Sequence, residues 1–175
     1  MIFTRETYWS QVEQFVLGKE QWARLDKPLW KAEQHALRDA EPRRKADALV
    51  LCVKYALKLN HPHDAKLIAS RACDAILQLD AGARDHRAAY AIELFLEQVD
   101  AFDEAKRLAV GISQPIVKVR ACLKVATAAV GTEPVRPWIK LVRDVCESGD
   151  LDEPDRSAFL EEAKILTFSA KRYAA

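Results

Sequence analysis

Two stretches of this chain, HPHDAKLIASRA (residues 61–72) and AFDEAKRLAVGI (residues 101–112), begin alike and indicate a helical repeat. Their alignment places Ala65 over Ala105, and alanines coincide again four residues later. Residues four apart lie on the same side of a helix, so each stretch presents a strip of small side chains. A preceding helix can therefore pack closely against each stretch.

Apolar periodicity typical of helices continues along the chain, and Pro and Gly separate the periodic runs. We predict a single all-α domain over residues 1–175, built from antiparallel helix pairs stacked as a short right-handed α-solenoid. Capping helices are expected at 1–41 and 150–175, with three hairpins over 42–147. The roughly nine predicted helices cover about residues 5–24, 28–40, 42–59, 62–79, 84–99, 102–111, 115–130, 133–147 and 154–172.

The paired helices resemble the tetratricopeptide repeat family, whose unit is about 34 residues long. Asp64-Ala65 and Glu104-Ala105 are similar to the start of that family's second helix, and the likeness covers about residues 42–147. The first helices lack the family's Trp, Gly and Tyr signature, and the spacing of the copies is irregular. A HEAT-like arrangement and a plain helical bundle remain alternatives.

The resemblance implies a concave wall formed by the first helix of each pair. Transferred onto this sequence, that wall supplies the candidate partner-binding residues Lys54, Lys58, Arg87, Tyr90, Arg120 and Lys124. A wall so rich in cations would suit an acidic peptide or a C-terminal carboxylate. The alternative is that these side chains are ordinary solvated charges on helix faces.

Tryptophan is concentrated at the start of the chain, where Trp9, Trp22 and Trp30 are three of the four in the sequence. In one interpretation these rings fill the junction at the end of the solenoid. In the other they form a second interface, for a partner or for a homodimer, because Trp is a favoured anchor in interfaces.

Composition excludes several classes of protein. The net charge of +1 argues against nucleic acid as the partner, and the sequence contains no apolar run long enough for a membrane span. The N-terminus does not resemble a signal peptide, so we expect a cytoplasmic protein.

The four cysteines lack the spacing of a zinc site, and we predict buried, reduced thiols.

Catalytic motifs are not found. The sequence contains no Gly-rich phosphate loop and no HExxH motif, and Glu93 and Glu97, which share a helix face, are expected to be solvated or salt-bridged. His61, His63 and Asp64 form the one cluster that suits a metal ion, but a helix start explains them equally well. We predict no enzyme activity, no metal and no cofactor.

A third metal ligand for that cluster would have to come from elsewhere, with Asp85 and His86 as the candidates.

We therefore predict a non-catalytic protein–protein interaction module of the adaptor or chaperone type. Two N-terminal helices followed by three hairpins resemble the tetratricopeptide-type chaperones of bacterial type III secretion. The alternatives are an RNA-binding helical-repeat protein and a small helical metal-dependent enzyme that uses His61 and His63.

Overall fold

The computed structural model of the chain describes residues 28–173. In this part of the chain all regular structure is helical, with eight α-helices and one π-helical turn. The all-α prediction is confirmed, whereas stacking as a solenoid stays a prediction. The first of the nine predicted helices, at about residues 5–24, lies outside the described residues, as do Trp9 and Trp22.

The α-helices are α1 (Pro28–Arg38), α2 (Pro42–Lys58), α3 (Pro62–Leu77), α4 (Ala81–Leu94), α5 (Phe102–Gly111), α6 (Pro115–Ala129), α7 (Arg136–Glu147) and α8 (Glu153–Tyr173). Helix α4 runs directly into the π-helical turn, Phe95–Val99. None of the described helices combines the length and the apolar character that a membrane span requires.

The helices form two compact units that divide between Leu79 and Asp80. In the first unit, α2 packs against α1 and against α3. The buried Glu33 of α1 also forms an ion pair with Arg71 of α3.

The second unit contains α4 to α8. Helix α4 packs against α5 and α6, and α6 packs in turn against α5, α7 and α8. Helices α4 and α6 are the first members of two successive predicted pairs. Contacts in this unit therefore join alternate helices as well as neighbours along the chain.

Proline and one acidic cap define where several helices begin. Pro occupies the first turn of α2, α3 and α6, where its missing N–H group leaves no hydrogen bond unmade. The Glu41 carboxylate caps α2, because it accepts hydrogen bonds from the backbone N–H groups of Arg43 at 3.0 Å and Arg44 at 2.7 Å. These helix starts agree with the prediction.

Residues with a left-handed backbone follow three of the helices. Asn60 has φ of 59° after α2, while Gly131 after α6 and Gly149 after α7 both have φ of 84°. Asn and Gly tolerate this conformation better than other residues, so these positions end their helices with little conformational strain. All three residues were predicted to lie just past a helix end.

Helix α4 begins earlier than the sequence predicts, at Ala81 instead of residue 84. The Asp80 side chain accepts a hydrogen bond from the backbone N–H of Ala83 at 2.9 Å and so caps the helix. Gly82, which was predicted to follow the end of the preceding helix, does come after it but lies inside the first turn of α4. The predicted start of the helix at residue 84 is therefore wrong.

The alanine strips of the two aligned stretches are fully buried. Ala65 and Ala69 on α3, and Ala105 and Ala109 on α5, have no exposed surface. Helices α4 and α6 bury several alanines as well: Ala88, Ala91, Ala121 and Ala126. The burial of these small side chains agrees with the close packing predicted from the alanine strips, which itself stays a prediction.

All four cysteines are buried free thiols, as predicted. Burial, with a smaller contribution from the negative charge of Glu33, raises the pKa of Cys52 to about 12. Burial also raises the pKa of Cys122 to about 11, against the opposing charge of Lys118. Folding therefore keeps these two thiols in their unreactive protonated form.

We expect Cys52 and Cys122 to remain protonated in the folded chain at pH values where the unfolded chain is ionised. Because their folded pKa values lie above the 9.0 of a cysteine exposed to solvent, both thiols stabilise the fold fully below about pH 9. That contribution is lost as the pH rises toward 11 for Cys122 and 12 for Cys52. The ultraviolet absorbance of thiolate, followed from about pH 7 to about pH 10, should show little ionisation of these residues in the folded chain.

The matched control is Cys52→Ala. It should remove one thiolate signal from the chain unfolded in urea and leave the folded titration unchanged over the same range. A full thiolate signal near pH 9 from the folded wild type would contradict the prediction.

Candidate binding groove

A groove of about 430 Å³ lies in the second unit and is lined by residues from α4, the π-helical turn, α6 and α8. We call it the α4–α6–α8 groove. Its apolar lining includes Leu96 of the turn, which is partly exposed, and Leu123 of α6, of which only 3% is exposed, next to Thr127 and Ala128. A ligand entering the groove thus meets apolar side chains between three helices.

The π-helical turn brings Leu96 and Glu97 to the groove. Phe95, at the start of the turn, is fully buried, and its carbonyl accepts a hydrogen bond from the backbone N–H of Ala101 at 3.1 Å. Asp100 ends the turn with φ of 55°, in the left-handed region.

Charged side chains border the apolar surface. Lys124 Nζ lies 2.6 Å from Glu93 Oε1, and both side chains are about half exposed. Solvent screens such a pair, so its contribution to stability is small, at most about 1 kcal/mol. Glu93 is therefore salt-bridged, which is one of the two states predicted for it.

Three further charges in the groove have no hydrogen bond or ion pair with any other residue of the described part: Arg120, Glu97 and Glu162. With Glu93 and Lys124 included, three carboxylates face two cations across the α4–α6–α8 groove. The groove is therefore of mixed charge, whereas the sequence pattern taken alone led us to expect a basic wall.

Arg120 and Lys124 are the two predicted partner-binding residues that the structure brings together, on successive turns of α6. Arg87 and Tyr90 lie on α4 in the same unit but do not line the groove. The guanidinium of Arg87 donates a hydrogen bond to the Ala83 carbonyl at 3.0 Å, in its own helix.

The remaining predicted partner-binding residues lie in the first unit. Lys54 and Lys58 are both on α2, with Lys54 partly buried and Lys58 exposed. Trp30, on α1, has 59% of its surface exposed. Whether Trp30 belongs to a cap or to a second interface stays a prediction.

The histidine cluster lies at the start of α3. His61 Nδ1 is 3.1 Å from Asp64 Oδ2, a contact between the side chain of the residue before α3 and an acidic side chain of its first turn. Over residues 28–173 no group of three or more His, Cys, Asp or Glu side chains is arranged to hold a metal ion.

Asp85, a candidate metal ligand from the sequence, is buried and caps the start of α6. Its carboxylate accepts hydrogen bonds from the backbone N–H groups of Ser113 at 3.1 Å and Gln114 at 2.7 Å. The Arg84 Nε atom lies 3.6 Å from the Asp85 Oδ1 atom, and an Arg84 Nη2 atom donates to Ser113 Oγ at 2.6 Å. Asp85 thus connects α4 to the loop before α6.

Comparison with known proteins does not assign a function to the α4–α6–α8 groove. The chain matches no known family model, and no curated protein or solved structure is significantly similar to it. The resemblance to tetratricopeptide repeats stays a prediction, and the α4–α6–α8 groove stays a candidate site.

Proposed function

We propose that this chain is a non-catalytic interaction module, of the adaptor or chaperone type, that binds a segment of another protein in the α4–α6–α8 groove. The observation that carries the proposal is an apolar surface bordered by charges that have no partner in the described residues. Burial of an apolar side chain against the exposed part of Leu96 would supply affinity, at about 25 cal/mol per Å² of apolar surface. The bordering charges would orient the segment and select it.

The charges also indicate which segment fits. The Arg120 guanidinium is suited to a bidentate contact with a carboxylate, as the sequence led us to expect for an acidic partner. Glu97 and Glu162 reach the same groove from the π-helical turn and from α8 and would pair with a basic group. We therefore propose a segment that carries an apolar side chain between an acidic and a basic residue.

We further propose that the helix pairs stack as in an α-solenoid. The contact of α6 with α4 supports this arrangement within the second unit, because first helices of successive pairs adjoin one another in such folds. The contact of α6 with α8 agrees with the predicted place of α8 as a capping helix next to the last pair. Four free thiols are in keeping with the cytoplasmic location that we expect from the sequence.

The RNA-binding alternative receives no support from this groove. Three carboxylates around it would repel a phosphate backbone, which needs an excess of cations.

The substitution Arg120→Glu tests the proposal. Peptides selected from a random displayed library on the wild-type chain would be measured by fluorescence anisotropy against both chains. We expect the peptides to bind Arg120→Glu about tenfold more weakly, because an attraction to the peptide carboxylate becomes a repulsion. Exchange of the acidic residue of the peptide for lysine should recover binding to the variant.

The matched control is Arg143→Glu, which makes the same change of charge at an exposed position of α7 outside the groove. It should leave the affinity within about twofold. Failure to select any peptide, or equal binding to wild type and Arg120→Glu, would refute the proposed site. Binding of single-stranded poly-uridine instead of peptides would favour the RNA-binding alternative.

A further inference from the structure

One face of α8 exposes large apolar side chains with a charge at either end. Ile165 is 58% exposed and Phe168 is 68% exposed, and Glu161 and Arg172 lie one turn before and one turn after them. The spacings of four, three and four residues place all four side chains along one line of the helix. We call these four residues the α8 stripe.

The stripe is not the face by which α8 packs on its own unit. That packing uses Phe159, Ala163 and Leu166, which are buried, in contacts of α8 with α6 and α7. Adjacent exposed apolar side chains rimmed by charge are typical of interaction surfaces.

The stripe is symmetric about the midpoint between Leu166 and Thr167. Ile165 and Phe168 lie equally far on either side of that point, and so do Glu161 and Arg172. A second α8 laid antiparallel across the first therefore sets Ile165 against Phe168 of the partner subunit and Glu161 against Arg172 of the partner subunit. A two-fold axis generates each of these contacts twice.

We propose that the chain forms a homodimer through antiparallel pairing of its α8 stripes. The charges specify the direction, because a parallel pairing would set Glu161 against Glu161 and Arg172 against Arg172. They are also available: Arg172 has no hydrogen bond or ion pair with another described residue. Glu161 has one carboxylate oxygen 3.0 Å from Lys164 Nζ, in an exposed pair within the helix, and its second oxygen is uncommitted.

This dimer is weak and depends on concentration. One helix pair over about three turns buries less than the roughly 1,200 Å² of a standard stable interface. Its surface also differs from the Trp9, Trp22 and Trp30 surface suggested by the sequence, and it lies entirely within the second unit.

A charge exchange tests the pairing, with sedimentation equilibrium of the full chain over a range of concentrations as the measurement. Glu161→Arg alone sets the introduced arginine against Arg172 of the partner subunit. Arg172→Glu alone sets the introduced glutamate against Glu161 of the partner subunit. We expect each single variant to raise the dissociation constant of the dimer at least about tenfold, because the repulsion occurs twice. The double variant restores opposite charges and should return the constant to within about threefold of the wild type.

Both positions are exposed, so the variants should fold, and circular dichroism verifies that they do. The control Arg143→Glu, on α7, should dimerise as the wild type does. A wild type that stays monomeric at every concentration would overturn the proposal. A dimer indifferent to the single changes, or one that the double variant fails to restore, would overturn it as well.

Discussion

Replacement of Phe95 by alanine is expected to lower the free energy of unfolding by about 4 kcal/mol. The Phe95 ring is fully buried at the start of the π-helical turn, so its removal leaves a cavity in the second unit. Urea unfolding followed by circular dichroism measures the change. Because the same turn positions Leu96 and Glu97 in the groove, the variant should also bind selected peptides more weakly.

The matched control for this change is Phe168→Ala, which removes the same ring from an exposed position on α8. Measured at a concentration where the chain is monomeric, it should change the free energy of unfolding by less than about 0.5 kcal/mol. Equal losses for the two variants would show that burial of Phe95 is not what stabilises the turn.

Replacement of Asp85 by alanine is expected to lower the free energy of unfolding by about 3 kcal/mol. The change removes the carboxylate that accepts hydrogen bonds from Ser113 and Gln114 at the start of α6. It also leaves the largely buried Arg84 side chain without its nearest negative charge. Thermal and urea unfolding of the variant measure the loss.

Asp85→Asn removes the charge and replaces one acceptor oxygen by an NH2 group, but it keeps the other oxygen to accept from the backbone N–H groups and should lose less stability than Asp85→Ala. The matched control is Asp144→Ala, at an exposed position of α7, with an expected change within about 0.5 kcal/mol. A loss for Asp85→Ala no larger than this control would contradict the capping role.

Local signals in the sequence predicted most of the helix boundaries. Pro42, Pro62 and Pro115 begin helices, and Asn60 and Gly131 follow helix ends, because each of these residues restricts or permits particular backbone angles. The alanine strips predicted close packing for a similarly local reason. What decides these features lies within a few residues along the chain.

Features that depend on distant residues were not predictable in this way. Asp85 meets its hydrogen-bond donors 28 and 29 residues further along the chain, and no helical periodicity reports such a contact. The π-helical turn was predicted as ordinary α-helix, since the apolar pattern of residues 84–99 does not register one extra residue in a turn.

The charge of the groove illustrates the same limit. The sequence placed Arg120 and Lys124 on one helix face, and the structure confirms that they are together. Glu162 comes from α8, far along the chain, and Glu97 enters through the π-helical turn. A pattern read within one helix could not show that carboxylates from other elements surround these cations.

The buried alanines of α4 and α6 have a consequence for binding. Ala88, Ala91, Ala121 and Ala126 are buried in those two helices, and a methyl group has no rotamers to lose. These positions therefore have no side-chain conformations to restrict when a partner arrives. The entropic cost of association falls on the incoming segment and on the long charged side chains that border the groove, such as Arg120 and Glu97.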